Sequence, residues 1–156
     1  MAKAKIKWVE GFQFLATTES GHSIVLDSSK DIGGSDTGPR PMEILLVSLI
    51  GCTAFDVAYI LKKMRESFTS LEVSVEGKRK GNHPRVYREI EIFYEVKGKN
   101  LKESNVKKAI ELSLKKFCSV SAMLKKTAKI SYSYRVVSEK LTHKKKQFHP
   151  SRDKYS

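Results

Sequence analysis

The thiols of this sequence are Cys52 and Cys118, 66 positions apart. A thiolate is a strong nucleophile, whereas a thiol buried among apolar groups is inert. Two cysteines are too few for the disulfide scaffold of a small secreted domain. Cys52 directly follows Gly51 in a strongly apolar stretch. Glycine inside a helix costs about 1 kcal/mol relative to alanine, and close approach of another backbone is its usual reason. Cys118 precedes Ser-Val-Ser. Ser119 is placed to cap a short helix, with Cys118 beside the positive end, an arrangement that lowers a thiol pKa. Taken singly, each cysteine reads first as a small buried apolar group. Asp56 lies one turn after Cys52, on the same helix face. Its charge would raise a neighbouring thiol pKa, and it reads foremost as a hydrogen-bonding group at a helix interface. His22, His83, His143 and His149 stand at no ligand spacing from the cysteines, so neither a metal nor another cofactor is expected. Gly33-Gly34 lacks the Lys-Ser/Thr and the following helix of a phosphate-cradling loop.

These cysteines need elements to position them. Residues 5–27 hold short strand-like runs, with Ser20-Gly21 as a tight turn. Residues 28–41 are dense in Ser, Asp, Gly and Pro and form a loop long enough to be functional. Residues 42–66 are apolar nearly all round, opened by Pro41 and closed by Lys62, Lys63 and Arg65. From Ile44 to Leu61 the only charge is Asp56. Length and hydropathy alone would suit a membrane span. The segment is single, sits between strand-like regions and carries a carboxylate, so it is read as a helix surrounded by protein, including a partner subunit.

Residues 71–80 and 86–96 alternate apolar and polar as an antiparallel pair, with Val86, Arg88, Ile90, Ile92, Tyr94 and Val96 on one face. Residues 101–117 form an amphipathic helix with Asn100 as N-cap. Val106, Ile110, Leu114 and Phe117 make its inner stripe, and Glu103–Lys107 and Glu111–Lys115 its outer pairs. A short helical piece at 119–125 and a last strand at 129–137 complete one domain, 1–137. Residues 138–156 are a basic mobile tail. Met1–Lys7 runs straight into a strand, which reads against a signal peptide and for a reducing, cytoplasmic location. The net charge is +13, with six Lys/Arg against two carboxylates in the tail. This favours solubility and, at most, non-specific attraction to nucleic acid.

Three segments taken together carry a resemblance: Gly-Pro-Arg-Pro-Met-Glu-Ile-Leu-Leu (38–46), Gly-Cys-Thr-Ala-Phe-Asp-Val (51–57) and Phe-Cys-Ser-Val-Ser-Ala-Met-Leu (117–124). With the element order and the cysteine spacing, the chain resembles the OsmC/Ohr family, the osmotically inducible protein C and organic hydroperoxide resistance proteins. The resemblance implies an α+β fold in which a long central apolar helix is wrapped by antiparallel sheets, in an intertwined homodimer. It also implies a thiol peroxidase. Cys52 would attack an organic hydroperoxide and become a sulfenic acid, Cys118 would condense with it to a disulfide, and an external dithiol would restore both.

The better-known peroxidases of the family carry an arginine in an early loop and a glutamate ten residues before the first cysteine. Here no arginine precedes Arg40, Met42 occupies the glutamate position, and the carboxylate is Glu43. Nine residues along an ideal helix is about 900°, which turns Glu43 away from Cys52. The motif is closer to a branch reading Arg-Pro-Met-Glu. Cys52, Cys118, Arg40 and Glu43 form the candidate catalytic set. Arg40 is a source of positive charge for the thiolate if it folds back or reaches the partner's site. A non-catalytic OsmC-like dimer binding a small apolar molecule is the alternative reading, and a nucleic-acid-associated protein a third.

Overall fold

The computed structural model describes residues 1–139. Three strands open the chain as an antiparallel meander: β1 (Ala4–Glu10), β2 (Gln13–Thr18) and β3 (Ser23–Leu26). Residues 18–22 turn tightly through Ser20-Gly21, with Gly21 at φ 84°, as the sequence predicts. The following loop is organised by buried Asp27. Its carboxylate accepts the backbone N–H of Ser28, Ser35 and Thr37 and the hydroxyl of Thr37, at 2.7–3.2 Å. The loop doubles back on itself where a Cβ on Gly34 would clash with the Ser28 carbonyl oxygen, and lies close on β3 where a Cβ on Gly38 would clash with the Val25 carbonyl oxygen.

Helix α1 (Pro41–Lys63) begins at the proline and ends at the lysines. Its Leu49, Val57, Ile60 and Leu61 are buried against the second sheet and the later helices. By length and composition it is the one described helix apolar enough to cross a membrane. The opposite row, Val47, Phe55 and Tyr59, is exposed among the described residues, Phe55 at 82 %. Gly51 belongs to that row, and nothing stands within 4 Å of where its Cβ would be. The backbone approach expected at this glycine is thus not made among the described residues. The meander is likewise open, with Ile6, Trp8 and Phe12 exposed.

The second sheet has the order β4 (Ser67–Arg79), β5 (Tyr87–Lys99), β6 (Lys129–Ser138). β4 and β5 are antiparallel, and β6 joins β5 in parallel after the helical crossover. Ile90, Ile92, Tyr94 and Val96 of β5 point into the core, as their alternation predicts. Tyr87 is a correction to that pattern. An irregularity between Lys78 and Arg79 places Arg79 opposite Tyr87, which turns Tyr87 inward and leaves Val86 exposed. Such a bulge inserts a residue and reverses the faces beyond it.

Helix α2 (Glu103–Leu112) starts at Lys102, not at Asn100, which adopts φ 50° and turns the chain. The cap comes from the connection between α1 and Ser67: Glu66 accepts the Lys102 N–H at 3.2 Å and the Asn105 side-chain amide at 2.6 Å. Glu111–Lys115 pairs at 3.2 Å, while Glu103 instead accepts the Tyr134 hydroxyl at 3.2 Å. After α2 the helix widens into a π turn, Ser113–Phe117, and then restarts as α3 (Ser119–Leu124). β6 ends at Ser138, and Glu139 donates its N–H to the Gly98 carbonyl and accepts the Thr69 hydroxyl. Ordered contacts therefore run two residues past the expected boundary at 137. The rest of the expected tail, 140–156, lies outside the described residues.

Candidate active site

The π turn places the second cysteine. Its closing hydrogen bond runs from the Cys118 N–H to the Ser113 carbonyl at 2.9 Å, five residues back. That wider turn carries Phe117 off the expected inner stripe, leaving it exposed, and keeps Cys118 facing inward at 3 % exposure. The carbonyl of Leu114, lost to the helical ladder, is taken by the Lys125 ammonium and by Ser121 Oγ. Cys118 is itself the N-cap of α3, one residue earlier than the Ser119 cap the sequence suggests, and its Sγ accepts the Ser121 N–H at 3.3 Å.

Across from it, α1 presents Cys52 and, one turn on, Asp56. The two sulfurs and a carboxylate oxygen of Asp56 all lie within 4.8 Å of one another. Both cysteines are free thiols, Cys52 half-buried and Cys118 buried. A sulfur that solvent can reach beside one that it cannot is a suitable pair for an attacking and a trapping thiol. The expected lowering of the Cys118 pKa by the helix end does not prevail. Burial, a hydrogen bond with Cys52 and the nearby Cys52 and Asp56 charges push it up to about 11, against the lowering contribution of the Ser121 N–H.

Asp56 is the hydrogen-bonding group at a helix interface that its position suggests. Ser113 Oγ lies 2.9 Å from its Oδ2 and 2.8 Å from Thr53 Oγ1, and Thr53 lies 2.8 Å from the Tyr94 hydroxyl. The chain of hydroxyls is buried, and burial raises the Tyr94 pKa above its ordinary value. The sequence does not single out Ser113 or Thr53, and marks Tyr94 only as one residue of the face shared by Ile90, Ile92 and Val96. The available signals were a polar Ser113 on the apolar stripe of α2 and a Thr beside Cys52.

Arg40 and Glu43 stand apart from this cluster. Arg40 is the N-cap residue of α1, and its backbone N–H donates to Glu43 Oε2 at 2.9 Å. Its guanidinium pairs with Asp36 at 2.6 Å. Arg40 precedes Cys52 by twelve residues, about 18 Å along a helix. Among the described residues the guanidinium serves the loop and not the sulfurs. It does border a cavity of about 290 Å³ whose walls include Ile6, Phe12, Phe14 and Leu26. Another groove, about 320 Å³, lies on the outer face of the second sheet among Glu76, Lys78, Glu89 and Glu91, away from the thiols.

Residues 33–133 match the OsmC-like protein family. The protein YhfA of Escherichia coli K12 is 40 % identical over 136 residues, covering 87 % of this chain and 98 % of its own. A crystal structure of a hypothetical protein from Aquifex aeolicus is 34 % identical, with a TM-score of 0.79 over 90 % of this chain and 98 % of that one. The fold alone is shared with an organic hydroperoxide resistance protein from Legionella pneumophila, 12 % identical, with a TM-score of 0.64 over 89 % of this chain and 97 % of that one.

Proposed function

The chain belongs to the OsmC-like family, and from that premise we propose that it is a thiol-dependent peroxidase reducing organic hydroperoxides through Cys52 and Cys118. The observation that carries this reading is the meeting of two free thiols, 66 residues apart in sequence, within 4.8 Å. Cys52, the more accessible, attacks the distal peroxide oxygen as thiolate. The O–O bond breaks, Cys52 becomes a sulfenic acid, and the alkoxide takes a proton to leave as alcohol. Cys118 then displaces hydroxide from the sulfenic sulfur, which departs as water, and a disulfide forms. An external dithiol reduces that disulfide and is itself oxidised. The trap holds the first cysteine at the reversible step of oxidation. The cycle needs both cysteines returned to thiols, which sets the protein in a reducing compartment such as the cytoplasm.

The working unit in this reading is a homodimer. The exposed row of α1 and the open meander are apolar surfaces that stand uncovered among the described residues. Gly51, with no neighbour near its Cβ position, suits a crossing of two α1 helices. In such a dimer the apolar cavity beside Arg40 faces a partner's thiols, receives the organic part of the peroxide and supplies the positive charge that Cys52 lacks on its own helix. Glu43 then holds Arg40 by its backbone and takes no part in proton transfer. Loss of cumene hydroperoxide with a dithiol reductant tests the reading. Wild-type protein should turn over and Cys52→Ser should not; equal rates would refute it.

A second reading has its own support. Arg40 is already paired with Asp36, and Asp56 puts negative charge beside the thiols, both of which suit a dimer that binds a small apolar ligand without turnover. Both thiols remaining unmodified after stoichiometric hydroperoxide, by mass spectrometry, would favour it.

A further inference from the structure

We propose that the reduced site binds a soft divalent cation of the zinc(II) class, with Cys52, Asp56 and Cys118 as its protein ligands. Two sulfurs and a carboxylate oxygen converge from α1 and the start of α3, each within 4.8 Å of the others. In a tetrahedral zinc site with Zn–S about 2.3 Å and Zn–O about 2.0–2.2 Å, ligand atoms stand roughly 3.5–3.8 Å apart. The three donors thus need to close by no more than about 1.3 Å around an ion of those bond lengths. The sequence leads to an expectation of no metal because no histidine stands at ligand spacing from the cysteines. Here two ligands sit one helical turn apart and the third arrives from 66 residues away.

The donor set selects the ion. Thiolates favour zinc and exclude magnesium and calcium, which take oxygen ligands. Three protein ligands leave a fourth position, and Cys52 is open enough for water to fill it. The carboxylate is oriented from behind. Ser113 Oγ reaches Asp56 Oδ2 at 2.9 Å, and Ser113 is linked through Thr53 to Tyr94, each at 2.8 Å. An outer shell of this kind fixes a ligand's direction, and its loss typically weakens metal binding about 10–100-fold. Binding converts two thiols and one carboxylate into a complex of net charge −1 and releases two protons per ion. The bound ion occupies both sulfurs, so metal and disulfide exclude one another.

The test uses full-length, fully reduced protein, with Co²⁺ as the spectroscopic probe and Zn²⁺ as competitor. One cobalt per chain should bind, with a thiolate-to-cobalt charge-transfer band in the near ultraviolet that Zn²⁺ abolishes and Mg²⁺ does not. Alkylating wild-type protein with N-ethylmaleimide should remove the band, and Cys118→Ser should lower its intensity by about half, one thiolate of two being lost. Ser113→Ala, which keeps all three ligands but removes the hydroxyl that links Asp56 to Thr53 and Tyr94, should weaken Co²⁺ binding about 10–100-fold. Absence of the band, or a band that survives alkylation, overturns the proposal. The inference needs reduced thiols but no turnover. Cobalt binding without peroxide consumption refutes the proposed enzyme and leaves the metal site standing, and peroxide consumption without cobalt binding does the reverse.

Discussion

Cys118 carries an ordinary thiol pKa of 9.0 up to about 11, chiefly because its sulfur is buried and secondly because it shares a hydrogen bond with Cys52. Alkylation rate follows the thiolate fraction. At pH 8 a thiol of pKa 9 is roughly one part in ten ionised and one of pKa 11 roughly one part in a thousand, so Cys118 should label about 100-fold more slowly than an unshifted thiol. Steric cover, at 3 % exposure, slows it further. Iodoacetamide labelling resolved by peptide mass spectrometry measures this directly. The rate at Cys118 should climb about tenfold per pH unit through pH 8–10 and level only near pH 11. In Cys52→Ala the hydrogen bond and the neighbouring charge are gone, so the midpoint should fall yet stay above 9, because burial remains. A wild-type curve that levels at or below pH 9 would refute the reasoning. It would mean that the Ser121 N–H at the start of α3 outweighs burial. In the proposed cycle this would order the chemistry: Cys118 would wait as a neutral thiol, and sulfenic acid formation at Cys52 would remove one of the groups that keep it so.

Lys125→Met leaves the Leu114 carbonyl with only Ser121 Oγ, at 3.4 Å. Stopped-flow rates should show slower disulfide formation with sulfenic acid formation at Cys52 unchanged. Asp27 is held at a pKa of about 2, well under 3.8, first by the Thr37 N–H and then by its hydroxyl. Its contribution to stability is present above pH 3.8 and lost as pH falls through about 2, so Asp27→Asn should flatten the acid limb of a stability-versus-pH curve in that window. Gly51→Leu starts from a Cβ position with nothing within 4 Å among the described residues, so helix content by circular dichroism should hold while sedimentation shows the proposed dimer dissociating; an intact dimer would place the subunit contact elsewhere. Arg40→Ala should slow peroxide reduction at least about tenfold, with Arg40→Lys recovering part, since lysine keeps the charge but loses the planar fork. An unchanged rate would confine Arg40 to its loop.

The parts of the fold legible in sequence are those ruled by local chemistry. Pro41 and the Lys62-Lys63 pair mark α1 because a proline suits the first helical turn and cations the last. Period-two alternation exposes β4 and β5 because one face is wet. Local rules fail where the backbone changes count. One irregularity near Arg79 turns Tyr87 inward, and one wide turn at Ser113–Phe117 turns Phe117 outward. Neither leaves a mark in residue type, since the side chains involved suit either face. Asn100 had the composition of a cap, but its left-handed φ spends it on the turn, and Glu66 from the connection between α1 and β4 takes over. A cap lent by a distant element has no sequence spacing to betray it.

The site shows the same division with a sharper consequence. Cys52 and Asp56 are related by one helical turn, so their shared face could be read directly from the sequence. Their relation to Ser113 and Cys118 depends on how α2 is joined to α3, and that junction is the π turn. A regular helix through residues 113–117 would have tied the Leu114 carbonyl into its own ladder and left Lys125 without it. Because the ladder is broken there, the backbone itself holds Cys118, through its N–H to Ser113 behind and its sulfur to the Ser121 N–H ahead. Ser113 serves twice, by carbonyl to Cys118 and by hydroxyl to Asp56. The residue that fixes the second thiol is therefore also the one that aims the carboxylate at both sulfurs. Any movement of the π turn changes the thiol spacing and the local charge together.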